Sequence, residues 1–129
     1  MAFVTVIVML ALVEYMYFAV AVGRARVRHG VEAPSVTGDE NFERFFRAHQ
    51  NTMEQLVVFV PAIYAAAYYA NELAAVALGV VFLISRVLYF RSYIADPAKR
   101  GPGMLGTMGT LIILIAMALV GATRAALMS

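Results

Sequence analysis

Polar and charged side chains are concentrated where a soluble-type segment turns into a hydrophobic one, "FRAHQNTMEQLVVFVP" (Phe46 to Pro61). On a helix of about 3.6 residues per turn, a single face carries a set of polar residues. The set is Glu43, Arg44, Arg47, Gln50, Asn51 and Glu54. Guanidinium groups bind carboxylates, and a carboxylate is the natural partner of an ammonium group. The face is therefore expected either to neutralise itself or to bind a charged or zwitterionic small molecule.

A second polar face follows about 30 residues later. Arg86, Tyr89 and Tyr93 have i, i+3, i+7 spacing, which places them on one side of a helix. Only the short Asn71-Glu72 turn separates the two helical segments, so they are expected to be antiparallel neighbours with their polar ends at the same side.

The simplest interpretation of these charges is a structural salt bridge. Glu54 and Arg86 are predicted to lie at similar depth in the membrane, where they could form a salt bridge that holds the two helices together. That interpretation leaves Arg47, Asn51 and the two tyrosines unexplained. A water-filled pocket for a charged small molecule accounts for all of them.

The composition is that of an integral membrane protein. Hydrophobic residues make up 63% of the 129 residues and the mean hydropathy is +0.80, against roughly 45–50% apolar residues in soluble domains. The N-terminal apolar run has no Lys or Arg before it and exceeds a signal-peptide core in length. We therefore expect it to be the first spanning helix.

Four hydrophobic segments predict an all-α fold, an integral membrane four-helix bundle forming a single domain over residues 1–129. The expected helices cover about residues 2–27, 42–70, 73–95 and 104–127. Pro61 lies inside the second helix and is expected to bend it. Lys and Arg concentrate in the first and third connections, so both termini are predicted to face away from the cytoplasm of a bacterial inner membrane or an endomembrane.

Several kinds of chemistry have no residues to support them. Cysteine is absent, which removes disulfides and a protein-borne thiol nucleophile. His29 and His49 are the only histidines and form no metal-ligand motif, so no metal is expected. No basic run with interleaved aromatic residues indicates a nucleic-acid partner. Glu14, near the middle of the first helix, receives no assigned function.

Two longer stretches, "NFERFFRAHQNTMEQLVVFVPA" and "ISRVLYFRSYIADPAKR", resemble the MAPEG family, the membrane-associated proteins in eicosanoid and glutathione metabolism. The family includes microsomal glutathione transferases, a glutathione-conjugating leukotriene synthase, a prostaglandin E synthase and a non-enzymatic lipoxygenase-activating protein. The resemblance covers nearly the whole chain. It implies a homotrimer that binds glutathione between subunits near the cytoplasmic side.

The same resemblance assigns roles to individual residues. Glutathione-binding positions are matched by Arg26, Arg47, His49, Asn51, Glu54, Arg86, Tyr89 and Tyr93. Arg100 matches the arginine thought to activate the thiol. His49 stands where glutathione-conjugating members commonly have Gln, and Gln55 where some have Tyr.

The function predicted from these features is that of a membrane-bound glutathione transferase. Glutathione would be the co-substrate, attacking lipophilic electrophiles, with peroxidase activity toward lipid hydroperoxides as an additional prediction. The alternatives are a non-catalytic lipid-binding or scaffold membrane protein of the same fold, and a glutathione-dependent isomerase.

Overall fold

Four long helices account for almost the entire chain. The computed structural model describes all residues, Met1–Ser129, and confirms the predicted all-α, four-helix architecture. The helices are α1 (Ala2–Arg28), α2 (Glu40–Tyr69), α3 (Glu72–Ala95) and α4 (Gly101–Met128), with a 3₁₀ turn at Pro97–Lys99. These bounds lie within three residues of the predicted ones.

Side-chain caps determine where two of the helices begin. The Asp39 carboxylate accepts a hydrogen bond of 2.9 Å from the Phe42 backbone N–H, which starts α2 at Glu40. The Asn71 side chain accepts one of 2.8 Å from Ala74 N–H and starts α3 immediately after the turn. Because the turn between α2 and α3 is short, the N-terminal half of α2 lies beside the C-terminal half of α3.

The core lies where α2 and α3 pack against each other, with α1 and α4 each packed on both of them. Phe59 of α2 and Phe82 of α3 are fully buried and stack with ring centroids 3.8 Å apart. The apolar core cluster draws residues from all four helices. It occupies the end of the bundle away from the polar faces described below.

Three helices, α1, α3 and α4, are long and apolar enough to cross a membrane. The helix α2 falls outside this group because its first half carries the charged and amide side chains of the polar face. It is continuous through Pro61. Large apolar side chains remain exposed along α1 and α4, which fits an integral membrane protein whose surface meets lipid or another subunit.

The contact between α4 and α3 depends on Gly103. A methyl group at this position would lie 2.6 Å from the backbone N and Cα of Tyr89, whereas one at Gly109 would meet nothing within 4 Å. We expect Gly103→Ala to lower the free energy of unfolding by about 1–3 kcal/mol, because backbone atoms must move apart. Gly109→Ala should be neutral or stabilising by up to about 1 kcal/mol. Thermal unfolding in detergent measures both, and equal melting temperatures for the two variants would contradict the close packing.

Candidate functional site

The centre of the polar region is the buried guanidinium of Arg86 on α3, whose residue is 1% exposed. Its Nη2 donates to Asn51 Oδ1 at 2.7 Å and to Thr52 Oγ1 at 2.9 Å, both on α2. Its Nη1 donates to Thr107 Oγ1 on α4 at 3.2 Å. A single side chain of α3 therefore links its own helix to two neighbours, α2 and α4.

Two threonine hydroxyls are oriented to receive these bonds. Thr52 donates its own proton to Ala48 O at 3.0 Å, and Thr107 donates to Gly103 O at 2.9 Å. Because each proton is committed to a helix carbonyl, each hydroxyl oxygen faces Arg86 as an acceptor. Neither threonine was identified as a site residue from the sequence. Their burial beside Arg86 depends on how α2 and α4 pack against α3, which the sequence does not reveal.

An aromatic stack continues from the guanidinium toward the surface. Arg86 Cζ lies 4.4 Å from the centroid of the Tyr89 ring, and the rings of Tyr89 and Tyr93 stack with centroids 5.6 Å apart. Tyr89 is buried and Tyr93 is partly exposed. The three residues thus share one face of α3. The positive guanidinium of Arg86 is attracted to the electron-rich face of the Tyr89 ring.

Arg47 and Glu54 are exposed on α2 and make no ion pair or side-chain hydrogen bond within the chain. The alternative interpretation, a salt bridge of Glu54 with Arg86, is wrong, since Arg86 is held by neutral oxygens. Asn51, fixed by Arg86, lies in the sequence between the two free charges. Arg47 and Glu54 are about 10 Å apart along the helix axis, a separation suited to the two ends of a small zwitterion.

The two remaining arginines of the predicted site are engaged with backbone oxygens. Arg26 Nη1 donates to Ser35 O at 2.7 Å and to Val31 O at 3.3 Å, and its guanidinium covers the Phe42 ring at 4.7 Å. Arg100 is exposed and donates through Nη1 to Pro97 O at 2.8 Å. Arg26 therefore fastens the α1–α2 connection, while most of the Arg100 guanidinium remains free.

His49 packs against its own subunit. Its ring stacks on Tyr15 of α1 with centroids 4.4 Å apart, and its Nε2 is buried without a hydrogen-bond partner. This side of α2 therefore faces α1 of the same subunit. No group of three or more His, Asp or Glu side chains is arranged to hold a metal ion.

Comparison with known proteins identifies relatives across most of the chain. The family model for MAPEG matches residues 3–120. Microsomal glutathione S-transferase 2 of Mus musculus is 38% identical over 113 residues, covering 88% of this chain and 77% of the relative. Leukotriene C4 synthase of Cavia porcellus is 32% identical over 120 residues, covering 93% of this chain and 80% of the relative.

Proposed function

The chain belongs to the MAPEG family, and from this premise we propose that it is a membrane-bound glutathione transferase. The relatives named as glutathione S-transferases support glutathione as the co-substrate. The observation that carries the proposal is the pair of unneutralised charges on α2, Arg47 and Glu54, beside the fixed amide of Asn51. Unpaired charges on a helix of a membrane bundle are costly unless a polar partner arrives.

Glutathione supplies the complementary groups. It carries two carboxylates, one ammonium and a thiol, so Arg47 binds a carboxylate and Glu54 binds the ammonium. The amide of Asn51 still has its NH₂ group free for the peptide, because Arg86 occupies only its oxygen. On α3, Tyr93 stacks on Tyr89, which covers the Arg86 guanidinium that holds Asn51.

Arg86 takes a different role from the one implied by the resemblance. A carboxylate could reach its guanidinium only if the side chains now covering it moved, since the residue is 1% exposed. We therefore propose that Arg86 positions Asn51 and Tyr89 and adds a positive potential beneath the site. Direct carboxylate binding is left to Arg47 and to Arg26.

The proposed site is completed by a second subunit. Arg47 and Glu54 lie on an exposed face of a single chain, and a neighbouring copy would enclose a peptide bound there and exclude lipid. A homotrimer meets this requirement, with Arg26 of one copy adjoining the polar face of the next, whereas His49 stays packed on Tyr15 of its own copy. The Lys and Arg residues of the first and third connections favour an orientation with both termini away from the cytoplasm. Glutathione would then enter from the cytoplasmic side.

The proposed reaction needs a thiolate and no general base. Arg100, exposed at the start of α4, stabilises the sulfur anion by a charge-assisted hydrogen bond. The sulfur lone pair forms a bond to the electrophilic carbon of a lipophilic substrate, whose leaving group departs with the bonding electrons. With a lipid hydroperoxide, sulfur attacks the terminal peroxide oxygen, the O–O bond breaks, an alcohol leaves, and a second glutathione reduces the sulfenic acid to form disulfide and water.

Glutathione binding tests the proposal. We expect Arg47→Ala and Glu54→Gln each to weaken glutathione binding in detergent by about 10-fold or more, because each removes a charge-assisted hydrogen bond worth about 1.5–3 kcal/mol. Isothermal calorimetry with reduced glutathione provides the measurement. Arg124→Ala is the control, since this exposed arginine lies near the far end of α4.

Two results would contradict the proposal. One is binding of glutathione that is unaffected by both substitutions, which would show that this face is not its site. The other is no binding by the wild-type protein at millimolar glutathione, which would favour a non-catalytic lipid-binding member of the family. If glutathione binds, initial rates with chlorodinitrobenzene and with cumene hydroperoxide distinguish conjugation from peroxide reduction.

A further inference from the structure

A groove unrelated to the polar site runs between α1 and α3. It has a volume of about 650 Å³ and is open to the surface of the bundle. Its walls are mostly apolar and include Val13, Phe18, Val87, Phe90 and Ile94. An apolar trough of this size on a membrane protein can hold part of an acyl chain.

A smaller basic cavity continues the groove at the C-terminal end of α1. This cavity, of about 140 Å³, is lined by Arg24 and Arg28. It shares Tyr17, Ala21 and Phe45 with the larger groove, so the two are contiguous. The combined surface is apolar along most of its length and cationic at one end.

The two arginines have no counter-ion in the protein. Both are exposed, and neither makes an ion pair or a side-chain hydrogen bond. They are four residues apart on one helix face, where like charges repel each other. An anion placed between them would relieve this repulsion. Arg91 lines the larger groove together with Glu14 and lies outside the basic cavity.

The one acidic residue of the groove lies away from this cationic end. Glu14 is ten residues before Arg24, about 15 Å along the helix axis. The cavity of Arg24 and Arg28 is the only part of the groove with positive charge and no acidic residue, so an anionic group is attracted to the end of α1. This charge asymmetry gives a bound amphiphile one favoured orientation.

We propose that this groove binds an anionic membrane phospholipid, with its phosphate between Arg24 and Arg28 and an acyl chain along the apolar wall. The end of α1 carries several arginines, as expected at a cytoplasmic membrane surface, which is where anionic lipids attract basic side chains. Tyr17 lies between the cationic end and the apolar wall, at the level where aromatic residues meet lipid head groups.

The lipid groove is distinct from the proposed glutathione site. On α1, Arg26 is rotated by about 200° from Arg24, and it contacts the α1–α2 connection instead. On α3, Val87, Arg91 and Ile94 face the groove, while Tyr89 stacks with Tyr93 on another side. Phospholipid and glutathione are thus predicted to bind without competition.

Native mass spectrometry of the detergent-purified protein tests the lipid site, with dioleoyl phosphatidylglycerol and dioleoyl phosphatidylcholine as probes. We expect one phosphatidylglycerol per subunit to be retained, and phosphatidylcholine to bind at least about fivefold more weakly. Arg24→Gln and Arg28→Gln should each weaken phosphatidylglycerol binding about fivefold, as each removes one cation near the phosphate. Glutathione affinity should not change in either variant.

Matched variants separate a built site from general surface charge. Lys99→Gln removes one exposed cation outside the groove and should leave phosphatidylglycerol binding unchanged. Ala21→Trp fills the junction of the two cavities and should abolish it, with thermal unfolding confirming that the variant is folded. Equal binding of phosphatidylcholine, equal loss in Lys99→Gln, or retained binding in Ala21→Trp would each overturn the proposal.

A second copy of the chain is the competing occupant of the groove. Because the protein has no cysteine, Tyr17→Cys introduces a unique thiol at the exposed edge of the groove. We expect this thiol to be alkylated readily in bilayers and to form no disulfide between subunits. Efficient disulfide formation between subunits on oxidation would show that a neighbouring chain covers the groove and would overturn the lipid assignment.

Discussion

Replacing Arg100 with Ala is expected to lower the rate of conjugation about 25-fold at pH 7 while glutathione still binds. A free thiol with a pKa near 8.5 is only about 3% thiolate at this pH. If Arg100 lowers the thiol pKa to about 6.5, roughly three quarters is thiolate, and the required stabilisation is about 2.7 kcal/mol. The exposed Arg100 guanidinium, with only Nη1 bonded to Pro97 O, has donors left for the sulfur.

The pH dependence of the conjugation rate tests the same role of Arg100. With Arg100 present, the conjugation rate should level off above about pH 6.5, since the bound thiol is already ionised there. In Arg100→Ala, the rate should continue to rise until about pH 8.5, so the two profiles converge as the solution becomes alkaline. Initial rates with chlorodinitrobenzene and the ultraviolet absorbance of bound thiolate measure both effects.

The neighbouring Lys99 provides the control for Arg100. Lys99→Ala removes an exposed cation from the 3₁₀ turn that immediately precedes Arg100 and should leave the conjugation rate and its pH profile close to those of the wild type. Full turnover and an unchanged thiolate absorbance in Arg100→Ala would exclude Arg100 as the activating group. Similar losses in both variants would indicate a general potential at this turn.

The four helices were predictable because each contains a hydrophobic segment and charged residues mark the connections between them. The sequence also indicated which residues share a face, as the stack of Arg86, Tyr89 and Tyr93 illustrates. The starts of α2 and α4 were less accurate for local reasons. Asp39 caps α2 two residues earlier than the apolar pattern suggests, and α4 includes Gly101 and Pro102 because proline is tolerated in the first turn of a helix.

The contacts that a side chain makes inside the bundle were harder to predict than the helix face on which it lies. Periodicity placed Arg86 on the polar face but could not show that Thr52 and Thr107 would enclose its guanidinium. A pairing with Glu54 followed from equal axial depth alone, and it failed because neutral acceptors on both neighbouring helices reach Arg86 first. His49 presents a similar case, since its contact with Tyr15 depends on how α1 packs against α2.

Substitution of Arg86 should affect both stability and glutathione binding. Arg86→Lys keeps a positive charge but cannot donate to Asn51, Thr52 and Thr107 together, because a compact ammonium lacks the span of a guanidinium. We expect a loss of about 3 kcal/mol in the free energy of unfolding, as hydrogen bonds from charged groups contribute about 1.5–3 kcal/mol each. Glutathione affinity should fall at least about 10-fold because Asn51 is no longer fixed.

Thr107→Val tests the positioning role proposed for Arg86. This substitution removes only the acceptor on α4, leaving Arg86 Nη1 buried and unpaired at a cost of about 1–3 kcal/mol. If Arg86 acts by holding Asn51 and Tyr89, Thr107→Val should also weaken glutathione binding, and its effect should be non-additive with Arg86→Lys in a double-mutant cycle. If the anchor on α4 plays no part in glutathione binding, Thr107→Val should lower the melting temperature but leave glutathione affinity intact. That second outcome would contradict the proposed positioning role, because it would show that the packing of the Arg86 guanidinium against Thr107 does not affect the bound peptide.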